Sequence, residues 1–503
     1  MELELNWEQL KHYELVLDTR VCQEETQETI VPDALPDILR IVEAGGQLCV
    51  SEKSVREGAM LTSGVINGWT LYEPESGGAL CKVDFHIPFT VRTDAPGVSA
   101  NGCCVVRPVL RKVDARTLNP RKILVRADIG VEGCVYEPRE LSVCCGMNDP
   151  AETQVQQMSI EQQAYLTTAV KEKAFSIYEE VHAPAGLDAS SELLCVRADA
   201  WCTEARLIGN KLVIKGEAGI RVRYLTDGQL GSARIPIGFS QIMEVEGAGE
   251  QADCRIDLFV TDVSCVRAGE DGRTLNISLD LTGQAVVSDR FSLTVLQDAY
   301  STCGEMSVDV QRHLVPDLLE RYAKPQNMRE LIETEIQAKS VVDAAVRVCG
   351  ISASGDCVEM QLQTDILYLD EHENLCAVSR AIPVTEQLAV PDNGHCDTFC
   401  FCPGEAFASV TAGGLELRFT LEMRGILTRL QPVVTVKKAL WSERDRDECV
   451  KRPSVVMRAV MPGESLWDVA KAYGTTMQRI CQANELDCDA LPTGKLLLIP
   501  AGK

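Results

Sequence analysis

Residues 211–224 read KLVIKGEAGIRVRY. Leu212, Ile214, Ala218, Ile220, Val222 and Tyr224 fall on one face of an extended chain, and Lys211, Lys215, Glu217, Arg221 and Arg223 on the other. Successive side chains of a strand point to opposite faces, so this period of two marks a strand with one face packed and one solvated. The alternation returns over residues 358–368, where Val358, Met360, Leu362, Ile366 and Tyr368 oppose Glu359, Gln361, Gln363 and Asp365. Each strand ends in a Tyr-Leu step and an acidic turn, Thr226-Asp227-Gly228 and Asp370-Glu371-His372-Glu373. A short strand with an Ile-Pro step follows, at Ile235-Pro236 and Ile382-Pro383. An earlier copy has Leu71-Tyr72, a Gly77-Gly78 turn and Ile87-Pro88-Phe89.

The three prolines lie 148 (236 − 88) and 147 (383 − 236) residues apart. Solenoid units run ~20–50 residues, so this period means repeated domains. Each unit carries a further alternating strand, through Ile123, Val125, Ala127, Ile129 and Val131, then Leu275, Ile277, Leu279 and Leu281, then Leu415, Leu417, Phe419, Leu421 and Met423. Turns at Asp271-Gly272 and Gly413-Gly414 precede two of them. The predicted fold class is mainly β: three repeated antiparallel sandwiches or half-open barrels, with the prolines on edge strands. Residues 161–180 and 308–332 are rich in helix formers and are read as linking helices. Residues 31–42 are read as a helix begun at Pro36. The expected boundaries are 1–150, 151–305 and 306–440, with a charged linker at 441–453 and a compact module over 454–503.

The 503 residues are 45% hydrophobic and only 5% aromatic, so the cores must be mostly aliphatic. The net charge of −25 is wrong for wrapping nucleic acid or an anionic membrane, which both reward clustered Lys and Arg. MELELNWEQL puts acid where a signal peptide needs base, and no stretch approaches the ~20 apolar residues of a spanning helix, so a cytoplasmic protein without a transmembrane segment is expected. In a reducing compartment the 22 cysteines read as small apolar filler in strands. A metal reading has one cluster to offer, His395, Cys396, Cys400 and Cys402, with Cys400 and Cys402 on one strand face. No CxxC, HExxH, GxSxG or P-loop occurs, and Gly247, Gly249 and Ala252 imitate a dinucleotide loop only in a strand-like context. No enzyme, catalytic residue, metal or cofactor is therefore expected.

Residues 454–503 read strand, helix, helix, strand. Pro462-Gly463 turns the chain, and Ser465 with Asp468 has capping-box spacing. Leu466, Val469, Ala470 and Tyr473 fall on one helix face, which Gly474 ends. Thr475 or Thr476 starts a second helix with Met477, Ile480 and Cys481 inward. Five Lys or Arg balance five Asp or Glu here, so the whole excess of acid lies in the repeats and linkers.

The words PGESLWDVAKAYGTT (462–476), NEL (484–486) and LPTGKLLLIP (491–500) make this module resemble a LysM domain. The resemblance implies a shallow groove for N-acetylglucosamine-containing glycans such as peptidoglycan or chitin. Its walls would be Gly463, Glu464, Ser465 and Leu466 against Asn484, Leu486, Leu491, Pro492 and Thr493. Glu464-Ser465 replaces the family's Asp-Thr, Met457-Arg458-Ala459 replaces its aromatic opening, and Trp467 and Tyr473 are read as core. The repeats, with their Leu-Tyr-Leu, acidic turn and Ile-Pro, resemble the SPOCS domain of endospore formers. SPOCS repeats before one LysM resemble the SipL type of spore coat morphogenetic protein. That resemblance implies a non-enzymatic adaptor at the forespore surface, on the mother-cell side, whose LysM domain binds a SpoIVA-type coat-basement ATPase. The alternative is a glycan-binding protein of wall or cortex.

Overall fold

The computed structural model describes the chain except residues 57, 151, 270–271, 356, 445–452, 462, 487–495 and 501–503. The first unit runs β1 (Leu5–Ile30), β2 (Ile38–Arg56), β3 (Ala59–Pro74), β4 (Cys81–Asp94), β5 (Cys103–Asn119) and β6 (Lys122–Met147). The second repeats it as β7 (Val155–His182), β8 (Glu192–Ile208), β9 (Lys211–Thr226), β10 (Gln229–Glu244), β11 (Asp253–Ala268) and β12 (Thr274–Ser301). The third has β13 (Gly304–Ile332), β14 (Ala338–Ser354), β15 (Cys357–Asp370) and β16 (Leu375–Gln387), a divided fifth strand, β17 (Gly394–Phe401) and β18 (Phe407–Thr411), and β19 (Gly414–Glu443). The fold is thus mainly β.

Within each unit the first strand pairs antiparallel with the last, β1 with β6, β7 with β12 and β13 with β19. The second to fourth strands form a separate three-stranded sheet, and β4, β10 and β16 are its edges. Pro88, Pro236 and Pro383 lie on those edges, where a missing N–H does least harm. The core fills the space between the two sheets. Ile123, Val125, Ala127 and Ile129 of β6 meet Val83, Phe85, Ile87 and Phe89 of β4. The corresponding β12 residues meet Ile235, Ile237 and Phe239. Leu415, Leu417, Phe419 and Leu421 of β19 meet Met360 and Leu362. Gly216 breaks the alternation of the opening stretch for a packing reason: a Cβ there would sit 2.2 Å from the Phe239 ring. Asp271 of the predicted hairpin turn lies outside the described residues.

The linking helices are not formed. Residues 161–180 lie inside β7 and residues 308–332 inside β13. Helix propensity is a weak prior, and here every residue of the two stretches except Thr168 and Leu319 finds a ladder partner, Ile177 opposite Leu279 for example. Residues 31–42 are a turn running into β2, with Leu35 N–H donating to Pro32 O at 2.9 Å. Pro32 and Pro36 each push the preceding residue toward extended geometry, and Tyr72 Oη donates to Pro36 O at 2.8 Å.

The long strands continue past their own sandwiches as arms. The passage is marked in each unit by a register shift, between Leu15 and Leu17, opposite Val287 and Ser288, and between Leu318 and Glu320. Such bulges bend a ribbon and raise its twist. The arms then meet. Cys144 and Met147 of β6 pack with Leu296 and Ala299 of β12 and Val436 and Ala439 of β19. Leu141, Leu293 and Val433 meet one layer away.

The face of β9 expected to be solvated is partly turned inward. Lys211 and Lys215 are exposed, but Arg223 is buried and Arg221 half-buried. Arg221 and Arg223 are both paired with Asp343 of β14, and Arg223 also with Glu43 of β2. Strands from all three units therefore share one buried ion network. One buried and one half-buried guanidinium share the buried Asp343 carboxylate, and breaking a buried pair from one side costs about 3–5 kcal/mol. Asp343→Ala is expected to lower the urea midpoint accordingly, whereas Lys215→Ala, at the exposed end of β9, should leave it within experimental error.

Candidate binding site at the C-terminal module

β20 (Val455–Ala459) and β21 (Leu496–Pro500) pair antiparallel with Met457 opposite Leu498. Between them lie α1 (Leu466–Tyr473) and α2 (Met477–Asn484). The capping box forms as its spacing requires, Asp468 N–H donating to Ser465 Oγ and Ser465 N–H to Asp468 Oδ2, each at 3.1 Å. The hydrogen bonds from Ser465 hold the Asp468 carboxyl below its ordinary range. Gly474 ends α1 at φ 60°, Thr476 caps α2, and Glu485 ends it at φ 52°. Leu466, Val469, Ala470, Ile480, Leu497 and Ile499 make the core.

Six of the nine groove residues are described. Gly463 is exposed in the turn with φ 85°. The Glu464 carboxylate is paired with Arg458 and accepts the Met461 N–H at 3.0 Å. The Ser465 hydroxyl is engaged with Asp468, and Leu466 is core. The Asn484 side chain is fully used within the domain: its amide donates to Ile480 O at 2.7 Å and Leu498 O at 2.6 Å, and its oxygen accepts the Leu498 N–H at 2.7 Å. Leu486 packs half-buried against the core. Leu491, Pro492 and Thr493 lie outside the described residues. The polar side chains on the described side of the groove thus fix its shape by bonding one another.

Two features escaped sequence reasoning. The first is the outer face of the β20–β21 ribbon. Met457 and Leu496 are each 64% exposed, with Val455, Leu498 and Met461 open beside them. The signal was present, because LLLI in β21 is apolar at every position while only Leu497 and Ile499 point to the core. The second is a docking contact. Trp467 is only 6% exposed because Tyr300 of β12 covers it, ring edge to face at 4.8 Å. Trp467 Nε1 donates to Asp298 Oδ2 at 2.8 Å, Lys471 Nζ reaches Asp298 at 2.7 Å, and Tyr300 Oη donates to Thr475 O at 2.7 Å. Partners more than 160 residues away leave no local pattern. Trp467 is therefore buried as expected, but between this module and the second unit.

The residues of the histidine–cysteine cluster point different ways. His395 Nε2 lies 3.1 Å from Asp18 Oδ2, Cys396 Sγ contacts Tyr322 Oη at 3.3 Å, and Cys400 packs on Met360. Among the described residues no three His, Cys, Asp or Glu side chains converge. Eighteen described cysteines, Cys49, Cys254 and Cys400 among them, are free thiols, while Cys481 of α2 is disulfide-bonded. Burial pushes thiols such as Cys49, Cys254 and Cys400 up to about 12, which fits packing and not reactivity. Among the described residues no helix is long and apolar enough to cross a membrane.

A SipL SPOCS-domain family model matches residues 37–118 and 191–267, and a LysM-domain model matches residues 460–500. No curated protein and no solved structure matches the chain. The first match covers β2 to β5 and the second β8 to β11; the third unit repeats the strand order outside any matched segment. Domains of these two kinds are binding or adaptor types, and together they fit a sporulation coat-related adaptor or a glycan-binding role.

Two outcomes follow from this geometry. Tyr300→Ala is expected to release the module without unfolding it: the 19F resonance of 5-fluorotryptophan at position 467 should shift toward its solvent-exposed value, while the helical circular dichroism of α1 and α2 persists. The hydrogen bond to Asp18 raises the His395 pKa and lowers that of Asp18. The pair's stabilisation is thus complete below the ordinary histidine value of about 6.5 and is lost as pH rises through the raised value. At the acid end it is lost as pH falls through the depressed Asp18 value. In Asp18→Asn, the His395 imidazole resonances should titrate closer to 6.5 than in the parent protein.

Proposed function

We propose that this chain of SPOCS repeats closed by a LysM domain is a non-enzymatic adaptor in endospore coat assembly. In this reading it acts at the forespore surface, on the mother-cell side, and its LysM domain binds a SpoIVA-type coat-basement ATPase. The observation that carries it is the outward face of β20 and β21, where Val455, Met457, Leu496 and Leu498 form a contiguous apolar surface on a small, charge-balanced module. Isolated exposed apolar residues are ordinary, but a whole ribbon face of them marks a place where another protein sits. The groove favours the same reading. The side chains of Glu464, Ser465 and Asn484 have intramolecular partners, so a glycan would have to rely on backbone groups there.

The repeats would then be a rigid platform that carries the module on Asp298 and Tyr300. The second reading, binding of an N-acetylglucosamine glycan, keeps the LysM match in its favour. The two readings predict opposite results. With Met457→Glu and Leu498→Glu combined, capture of the ATPase by the full chain should fall at least ~10-fold, since two buried carboxylates are left unpaired. Titration of the full chain with chitin or peptidoglycan oligomers should give no saturable heat. Capture that survives deletion of residues 454–503 would sink the adaptor reading, and saturable glycan binding lost on Gly463→Val would establish the other.

A further inference from the structure

The β20–β21 ribbon has two outer edges, and they are not alike. Asn484, at the end of α2, lies along the β21 edge: its amide donates to Leu498 O at 2.6 Å and its oxygen accepts the Leu498 N–H at 2.7 Å. The main-chain groups of Leu498 therefore point away from β20. In an antiparallel ladder, pairs that bond one another alternate with pairs whose groups face outward, so residues directly opposite share one of the two states. Met457 is opposite Leu498, and no bulge interrupts the register from Val455 to Ala459. The N–H and C=O groups of Val455, Met457 and Ala459 thus line the outer edge of β20. Among the described residues no hydrogen bond engages them.

Natural sheets blunt an open edge with proline, charge or a bulge. Pro88, Pro236 and Pro383 do so on β4, β10 and β16, and the Asn484 side chain does so on β21. Strand β20 reads VVMRA, with no proline and no bulge. Its one charged side chain, Arg458, is turned to Glu464 and lies over the Tyr473 ring at 5.9 Å. The side chains of Val455, Met457 and Ala459 are all exposed, so the open edge runs along the apolar face of the ribbon.

We propose that β20 is a docking edge for an added strand: the protein partner of the preceding reading, on which this inference rests, binds through an extended segment that pairs with the β20 edge and lays alternate apolar side chains beside Met457. Only extended main chain can meet a row of alternating N–H and C=O groups. The main-chain bonds supply affinity and the apolar face supplies selectivity, the usual division in strand addition. A second copy of this chain is the poorer occupant, because it brings another net charge of −25 to the contact.

The test is capture of the coat-basement ATPase by the full chain, with the 19F resonance of 5-fluorotryptophan at position 467 as the check that the module stays folded and seated. Met457→Pro deletes an N–H that no ladder bond uses and sets a ring across the edge, so capture should fall at least ~10-fold while the resonance keeps its parental position. Met457→Leu keeps the N–H and an apolar side chain, and should bind as the parent does. Ala459→Pro makes the same deletion where almost no side chain is lost, and should weaken capture likewise. Hydrogen exchange at the Met457 amide needs no variant: it should be fast in the free chain and at least ~10-fold slower in the complex. A folded proline variant that captures the ATPase as the parent does, or a Met457 amide that exchanges equally fast in the complex, overturns strand addition. The adaptor reading survives either result if Met457→Glu with Leu498→Glu still abolishes capture. Proline variants that turn a dimer of the chain into a monomer, with capture intact, would assign the edge to a second copy and overturn the proposal. A parent chain that captures no ATPase, or capture that survives deletion of residues 454–503, overturns both.

Discussion

Strand β6 is longer than the sandwich it closes, and so are β12 and β19. A strand that has left its own core still carries two faces and two ladder edges, and both must be satisfied. Pairing with β1, β7 and β13 settles one edge of each arm. Burial of the arm's apolar residues has no solution within a unit, because there is no second sheet at that level. The solution found is mutual: Cys144, Leu296 and Val436, from corresponding places in three arms, become one another's core. Thr435 of β19 completes the seam by accepting the Cys144 N–H at 2.8 Å. The three units cannot then be independent beads. Their relative placement is set by the arms, and the ion network between them is a consequence of that placement.

The charged residues follow from the same constraint. An isolated sandwich would expose the polar face of β9, and the alternation of residues 211–224 says no more than that. Once the arms clamp the units together, Arg221 and Arg223 face Asp343 and Glu43 across the junction between units. At the neighbouring seam Arg107 reaches Asp257 at 2.6 Å and Asp397 at 3.5 Å, while Arg255 pairs with Asp397. These contacts join different units in every case, which makes them devices for register more than for net stability. Any packing that slid one unit along another would strand several charges at once.

What the sequence disclosed divides along the same line. Period-two patterns within single strands were legible, because a half-buried sheet imposes them residue by residue: Leu275, Ile277, Leu279 and Leu281 are all buried. The capping box at Ser465 and the C-terminal glycine at Gly474 were legible for the same reason, being local. Residues 161–180 misled because Glu, Gln, Ala and Lys favour helices only when no ladder competes, and β12 competes over their whole length. The groove was placed by motif, but the engagement of Asn484 with Leu498 depends on tertiary contact. The docking of Trp467 on Tyr300 and the Arg223–Asp343 pair join residues far apart in the chain, and no window of sequence contains them.

The small module shows how one apolar surplus is distributed between two surfaces. In a strand–helix–helix–strand domain the helices cover one face of the ribbon, here through Val456, Leu497 and Ile499. α1 then has an outer side of its own, and Trp467 and Lys471, one turn apart, spend it on Asp298 and Tyr300 of β12. The module is thereby seated by its helices, and the face of the ribbon that carries Met457 and Leu498 is the one directed away from that seat. Had the ribbon docked instead, the exposed tryptophan and lysine would have faced solvent and the apolar face would have been consumed. The choice of seat therefore keeps this apolar surface available to another protein. It costs Asp298 its solvation, which the indole N–H and the ammonium of Lys471 restore.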